Sequence, residues 1–147
     1  MNDSDDTHNQ IVKVCACRPM NQSGIIVEEG QKYRFQIVEW REQWVDGCVD
    51  ATPERGWTSS LYNLGGELFG PMKRSNKVNW YALVGAICGS DQNEKDCKDN
   101  HESFAVFPQD ESPVVMHKAG RLYFYANDKE GRYFNNMGSI KLKVIND

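Results

Sequence analysis

Apolar and polar residues alternate along much of this chain, which is the pattern of β-strands that bury one face. In residues 122–126, LYFYA, and again in residues 140–144, IKLKV, every second side chain is suited to a core. A period of two places that row against the core and leaves the other row, here tyrosines and lysines, partly exposed. The two segments therefore predict a pair of strands joined by the polar loop at residues 128–139.

The remaining apolar segments are also short and extended. Further strands are predicted at residues 11–17, 24–27, 33–40, 78–88, 104–107 and 114–116. The run at 78–88, VNWYALVGAIC, is almost continuously apolar, as expected of a central strand buried on both faces. No amphipathic helix of useful length is visible. About eight short strands separated by Gly, Pro, Asn and Asp predict an all-β fold, a β-sandwich of jelly-roll type.

The alternating pattern stops in residues 41–77, a segment that contains five glycines and two prolines. Irregular connections longer than about 12–15 residues are uncommon in compact domains and are often functional. One or two short strands or a turn of helix are expected here. The aromatic side chains Trp44, Trp57 and Phe69 have two alternative interpretations: they cap the end of the core, or as a group they form a platform on which a sugar ring stacks.

Length and charge restrict the classes of protein to consider. The 147 residues suit a single domain at 11–147 after a flexible tail at 1–10, which resembles neither a secretory signal nor a transit peptide. The net charge of −4 argues against a nucleic-acid partner, which usually requires a concentrated basic face. No apolar run approaches the roughly 18–20 residues of a membrane span. The compartment is left open, with an exported or cell-surface location favoured over the cytoplasm.

The five cysteines leave the redox state open. Cys15 and Cys17 lie two positions apart on a predicted strand and would point the same way, which is poor geometry for a mutual disulfide. Cys88 and Cys97 flank a polar loop that a disulfide would close. Free thiols in a reducing compartment are the equal alternative. A zinc site is disfavoured, because Cys97 and His101 have no second pair at a recognised spacing.

The loop at 128–139 carries the main candidate for binding chemistry. Asp128, Asn135 and Asn136 place one carboxylate and two carboxamides within nine positions of one another. These groups are hard oxygen donors of the kind that calcium prefers. The alternative is a turn in which the same side chains form hydrogen bonds with nearby backbone groups.

Four segments in the second half of the chain carry a family resemblance. They are residues 84–87 (VGAI), 120–124 (GRLYF), 127–128 (ND) and 135–139 (NNMGS). Together they resemble the PA-IL-type bacterial galactophilic lectins and the related galactose-binding-like jelly-roll modules. The similarity is weaker in the first third of the chain, and it leaves 41–77 almost unaligned.

The resemblance implies a calcium ion that bridges two neighbouring hydroxyl groups of a bound sugar. The implied calcium ligands are the side chains of Asp128, Asn135 and Asn136 and the backbone carbonyl of Arg132. A further carbonyl in the family comes from an earlier loop, which by offset from Trp40 is near Gln43. Sugar contacts would come from Gln43, Asp128, Asn135 and Asn136 and, through the aromatic platform, from Trp57. The chain departs from the family in having no histidine between His8 and His101, where those lectins use one in the sugar pocket.

These observations favour a calcium-dependent, galactose-type carbohydrate-binding module, with a glycoconjugate as partner and homo-oligomerisation left open. The alternative is a metal-independent β-sandwich that binds a partner protein within a larger bacterial exported or surface assembly. An enzyme is not expected, because His8, His101 and His117 are scattered and show no base–nucleophile arrangement.

Overall fold

The structure, a computed structural model, describes residues 9–40, 44–46, 49–57, 74–75, 77–99, 101–128, 133 and 136–147. Its strands are β1 (Asn9–Cys15), β2 (Asn21–Val27), β3 (Lys32–Trp40), β4 (Val45–Asp46), β5 (Val49–Thr52), β6 (Gly56–Trp57), β7 (Leu83–Cys88), β8 (Glu102–Ala105), β9 (Val114–Val115), β10 (Gly120–Ala126), β11 (Asn136–Met137) and β12 (Ser139–Asn146). A short helix, α1 (Glu94–Asp99), lies between β7 and β8. No helix in these ranges is long and apolar enough to cross a membrane.

Two four-stranded sheets form the body of the domain. One has the strand order β1-β12-β3-β9 and the other β2-β10-β7-β8, and β11-β4-β5-β6 form a smaller third sheet. All the strand pairings in the described residues are antiparallel. The predicted all-β sandwich is therefore confirmed, and the jelly-roll connectivity stays a prediction. Strand β1 starts at Asn9, inside the segment expected to be a tail, of which residues 1–8 lie outside the described ranges.

The core lies between the two large sheets. The apolar residues at alternate positions of β12 are at most 2 % exposed, and lysines lie between them, as the period of two predicts. Phe35 of β3 connects the sheets, because its ring centroid is 6.0 Å from that of Phe104 in β8 and 5.8 Å from that of Phe124 in β10. Aromatic contacts of this kind add to the burial of apolar surface that holds the two sheets together.

Strand β10 is buried on both faces, so the expectation of a partly exposed tyrosine row is wrong. Tyr123 and Tyr125 are 3 % and 0 % exposed. A second apolar cluster includes them on the outer face of their sheet, together with Met20, Val84, Ala86, Cys88 and Cys97. Met20 precedes β2 and Cys97 lies in α1, so parts of the chain outside the sheet cover this face. Tyrosine is compatible with both a solvent-exposed and a buried face of a sheet, so the alternation of residues alone does not show which of the two is present.

Trp44 belongs to the core and not to a sugar platform. Its side chain is 1 % exposed, its Nε1–H donates to the carbonyl oxygen of Tyr81 at 2.9 Å, and the two ring centroids are 5.8 Å apart. Tyr81 lies in the turn before β7, so the predicted strand at 78–88 is confirmed only from Leu83 onward. Strands β4, β5 and β6 make one strand more than expected in 41–77. The side chains of Trp57 and Phe69 lie outside the described residues.

Two disulfides are present in the described residues. Cys88 and Cys97 are bonded, with Cα atoms 5.5 Å apart, so the oxidised alternative is confirmed for this pair. Cys15 and Cys17 are also bonded, with Cα atoms 5.3 Å apart, and the prediction against this bond is wrong. Strand β1 ends at Cys15, so Cys17 lies in the following turn. The alternation of side chains that holds on a strand therefore does not apply to this pair.

Gly85→Ala tests the close packing of β7 against β8. A methyl group on Gly85 would overlap the ring of Phe104. We expect this change to lower the free energy of unfolding by about 1–3 kcal/mol, as other overpacked cores do. In a urea-unfolding cycle, Gly85→Ala/Phe104→Leu should lose less than the sum of the two single changes, because leucine makes room for the methyl group. If the losses in unfolding free energy of the two single changes simply add in the double variant, the close contact between Gly85 and Phe104 is contradicted.

The two disulfides should differ in their contribution to stability, because they close loops of different length. Their sequence separations are 9 for Cys88–Cys97 and 2 for Cys15–Cys17. We expect Cys88→Ala/Cys97→Ala to lose about 2–3 kcal/mol of unfolding free energy. Cys15→Ala/Cys17→Ala is the matched control and should lose less in the same urea titration. A larger loss in the control would refute the loop-length argument.

Candidate functional site

Asn127, directly after β10, fixes the start of the candidate loop. Its side chain is 0 % exposed, and its Nδ2 group donates to the backbone carbonyls of Ser75, Val78 and Asn79 at 2.9, 3.1 and 3.1 Å. Its Oδ1 accepts a hydrogen bond from the N–H of Ser75 at 3.0 Å. The backbone of Asn127 is also hydrogen-bonded to the turn before β7. Both polar atoms of the side-chain amide thus join the loop to Ser75, Val78 and Asn79.

Tyr133 closes the first part of the loop. Its hydroxyl donates to the carbonyl oxygen of Ala126 at 2.7 Å, and its side chain is 6 % exposed. Burial raises the pKa of Tyr133 to about 12, and the negative charge of Asp128 acts in the same direction, against the opposing effect of Arg74. The hydroxyl therefore keeps its proton at neutral pH and acts as a donor. Asp128 lies between Ala126 and Tyr133 in the chain and is 4 % exposed.

Asn136 lies at the far end of the loop and is 4 % exposed. Its Nδ2 group donates to the carbonyl oxygen of Ala16 at 3.1 Å. Ala16 in turn donates its N–H to the carbonyl of Gly138 at 2.9 Å, so the turn after β1 supports this end of the loop. The Oδ1 atom of Asn136 is buried and has no hydrogen-bond partner in the described part of the chain. A buried acceptor in this state is unfavourable unless another group satisfies it.

Arg74 joins the loop to the outer face of the β2-β10-β7-β8 sheet. Its guanidinium lies 3.7 Å from the ring centroid of Tyr125, a cation–π arrangement. One terminal nitrogen donates to the hydroxyl oxygen of Tyr133 at 2.8 Å and to the carbonyl of Pro19 at 2.6 Å. The second terminal nitrogen lies 3.4 Å from the sulfur of Met20. The guanidinium thus contacts three separate parts of the chain, and sequence analysis did not select this residue.

His101 extends this polar cluster on the other side of Tyr125. Its Nδ1 atom is 2.8 Å from the carbonyl oxygen of Cys97, and its Nε2 atom is 2.8 Å from the hydroxyl of Tyr125. A carbonyl only accepts, so Nδ1 carries the proton, and Nε2 of the neutral ring accepts from the tyrosine hydroxyl. Burial lowers the pKa of His101, and the charge of Arg74 lowers it further, although the bond to Cys97 opposes them. Burial also raises the pKa of Tyr125.

The predicted site residues fall into two groups. Asp128 and Asn136 are described, and both are buried at one end of the sandwich. Gln43, Arg132 and Asn135 lie outside the described residues, and Trp57 is described only through the pairing of its backbone with Ala51. The strands before and after residue 43 both pair with strands at the end of the loop. Trp40 of β3 is opposite Ile140 of β12, and Val45 of β4 is opposite Met137 of β11.

Sequence reasoning missed Asn127, Tyr133 and Arg74 as supports of the loop. The signal for Asn127 was weak, because an asparagine directly after a strand usually indicates only a turn. The loop contains two adjacent aromatic residues, Tyr133 and Phe134, and nothing in the sequence distinguishes Tyr133 as a support. Arg74 is 59 residues away from Tyr133, and nothing in the local pattern connects them.

Comparisons of the chain with models of protein families, with curated proteins and with solved structures found no match. Within the described residues, no group of three or more His, Cys, Asp or Glu side chains is placed to hold a metal ion. The implied calcium ligands are of a different composition, with one carboxylate, two carboxamides and backbone carbonyls. The calcium site therefore stays a prediction.

The stability of the protein should fall in mild acid because of His101. Its pKa is lowered below the ordinary value of 6.5 in the folded protein. Below pH 6.5 the unfolded chain takes up this proton first, so folding stability is complete above that pH and is lost as the pH falls towards the folded pKa. We expect the difference between melting temperatures at about pH 7.5 and about pH 5.5 to shrink in His101→Gln. The exposed His117→Gln is the matched control. An unchanged difference in His101→Gln would contradict the assignment.

Proposed function

We propose that this protein is a calcium-dependent carbohydrate-binding module of the lectin type, with a jelly-roll, galactose-binding-like fold. The observation that carries the proposal is the buried Oδ1 atom of Asn136, which has no hydrogen-bond partner in the described residues. A calcium ion would satisfy this oxygen without requiring an N–H or O–H donor. Asp128, at the other end of the same loop, supplies a buried carboxylate.

The spacing of the donors supports a single ion. Asp128, Arg132, Asn135 and Asn136 match the ligand positions of the PA-IL-type lectins by resemblance, with three side chains and one backbone carbonyl. Calcium takes six to eight oxygen ligands at roughly 2.3–2.6 Å. The four residues leave ligand positions for a carbonyl from another segment and for two hydroxyl groups. Neighbouring hydroxyls on a sugar ring are suited to those last two positions.

The strand pairing supports the backbone carbonyl of Gln43 as a further calcium ligand. Gln43, the residue implied by the resemblance, lies in the chain between Trp40 and Val45. These flanking residues pair with Ile140 and Met137, on either side of Gly138. The segment with Gln43 thus connects two strands that both border the end of the loop, as a shared binding site requires.

The disulfides support an exported or cell-surface location. Disulfides form and persist mainly in oxidising compartments, and the described residues contain two. Such environments also hold millimolar calcium, which suits binding sites of moderate affinity. The partner is a glycoconjugate in this proposal, and Trp57 is the candidate for stacking on its sugar ring.

A second candidate function is metal-independent binding of a partner protein. The observation that favours it is the exposure of large apolar side chains on the strands: Ile26 is 75 % exposed, Met137 is 65 % and Ile11 is 55 %. Met137 follows Asn136 directly, so an apolar contact surface would lie beside the candidate site. In this alternative the polar loop is a turn whose side chains form hydrogen bonds with nearby backbone groups, and chelators have no effect on binding of the partner.

Calcium should stabilise the wild-type protein against heat. At about ten times the dissociation constant, mass action adds about 1.4 kcal/mol, which raises the melting temperature by a few degrees. Asp128→Asn removes the one charged ligand and should abolish most of this shift. The exposed Asp91→Asn is the matched control and should keep it. Equal melting temperatures of the wild type in calcium and in chelator would rule out the calcium site.

A glycan array separates the two candidate functions. We expect the wild-type protein to bind glycans with terminal galactose-type sugars in calcium and to lose the signal in excess chelator. Asp128→Asn should lose the glycan-binding signal even when calcium is present. No glycan binding in either condition would favour the metal-independent protein-binding module, and glycan binding that survives chelation would contradict the calcium dependence.

A further inference from the structure

Tyr133 has a single hydroxyl group that makes two different hydrogen bonds. It donates to the carbonyl of Ala126, which is two residues before Asp128, and it accepts from Arg74 at 2.8 Å. The first bond joins the two parts of the chain that flank Asp128. The second bond fixes the hydroxyl from outside the loop. Together they use the donor and one acceptor position of the hydroxyl.

Arg74 is itself held in place by its side chain and by the backbone next to it. The guanidinium stacks on the ring of Tyr125 at 3.7 Å and donates to the carbonyl of Pro19 at 2.6 Å. Ser75, the next residue, is bonded through its N–H to the Oδ1 of Asn127 at 3.0 Å. The residue that starts the loop thus also fixes the backbone next to Arg74. The planar guanidinium is suited to these simultaneous contacts, and a lysine ammonium is not.

We infer that Arg74 is a positioning residue for Asp128 and acts, through the hydroxyl of Tyr133, on the two described parts of the chain that flank it. The inference rests on the proposed function in one respect, namely that the positioned groups are calcium ligands. Arg74 itself is not a ligand, since its guanidinium is a cation that repels calcium. Removal of a residue that holds metal ligands in place, without binding the metal itself, commonly lowers metal affinity by about 10–100-fold.

Arg74→Lys separates geometry from charge. It keeps the positive charge near the loop and removes the planar group that reaches both Tyr133 and Pro19. Tyr133→Phe is an independent second variant, because it keeps the buried ring and removes only the hydroxyl. Arg34→Lys is the matched control: Arg34 is exposed on β3, where it forms a surface ion pair with Asp147 at 3.4 Å.

Two measurements on the full chain test the inference. Hydrogen exchange of the 127–136 amides is followed in chelator, and calcium binding is measured by isothermal titration calorimetry. Arg74→Lys and Tyr133→Phe should each speed exchange in this loop and weaken calcium binding by about tenfold. The double variant should be no worse than about the stronger single change, because both remove the same link. Arg34→Lys should change neither quantity.

The outcomes distinguish this inference from the proposed function. If the wild type binds calcium and the variants bind it with unchanged affinity, the positioning role is overturned whatever happens to exchange, while the calcium site stands. If the wild type binds no calcium, the calcium site fails, and exchange in chelator decides whether Arg74 holds the loop. Unchanged exchange in both variants would then overturn the inference as well.

Discussion

The buried side-chain amide of Asn127 is the interaction on which this end of the sandwich depends. It joins the end of β10 to Ser75, Val78 and Asn79 through both of its polar atoms. Without it, several buried backbone groups would lose their partners, and each such loss costs about 1–3 kcal/mol. The amide therefore fixes the start of the polar loop and the backbone position of Ser75, the residue next to Arg74. The loop and its support share one anchor.

The polar cluster on the outer face of the second sheet depends on that anchor. Arg74, Tyr125 and His101 form a continuous series of contacts between the loop and the disulfide-closed segment that carries α1. Each polar group in the series has a partner with suitable chemistry, which is the condition for burying such groups. The lowered pKa of His101 follows from this burial and from the charge of Arg74, which favours the neutral ring. The cluster gives the loop a rigid support from outside the main core.

The fold class could be predicted from the sequence because alternation is a local property. The apolar rows of β12 and β3 follow the period of two, and the sheets form where that pattern indicates. The tyrosine face of β10 was wrongly expected to be partly exposed, because its cover comes from Met20 and Cys97, which are distant in sequence. The Cys15–Cys17 bond was missed because the strand predicted to reach Cys17 ends two residues earlier, at Cys15.

The candidate site could be predicted only in part. The donors Asp128 and Asn136 were visible from their spacing, and the structure buries both. Their supports were not visible, since the links from Asn127 to Ser75 and from Tyr133 to Arg74 span 52 and 59 positions of the chain. A single sequence reports which residue types are present and how local segments alternate. It does not report which distant cation or amide meets a given loop.

The central claim is that the oxygens of this loop gather on a cation that also binds a sugar. The most direct measurement is a crystal structure of the protein grown with calcium and a galactoside, with anomalous scattering used to locate the ion. The account predicts an ion within roughly 2.3–2.6 Å of Oδ1 of Asn136 and of a carboxylate oxygen of Asp128, with two sugar hydroxyls completing its shell. An ion-free loop in which Oδ1 of Asn136 accepts a hydrogen bond from a protein N–H would contradict it.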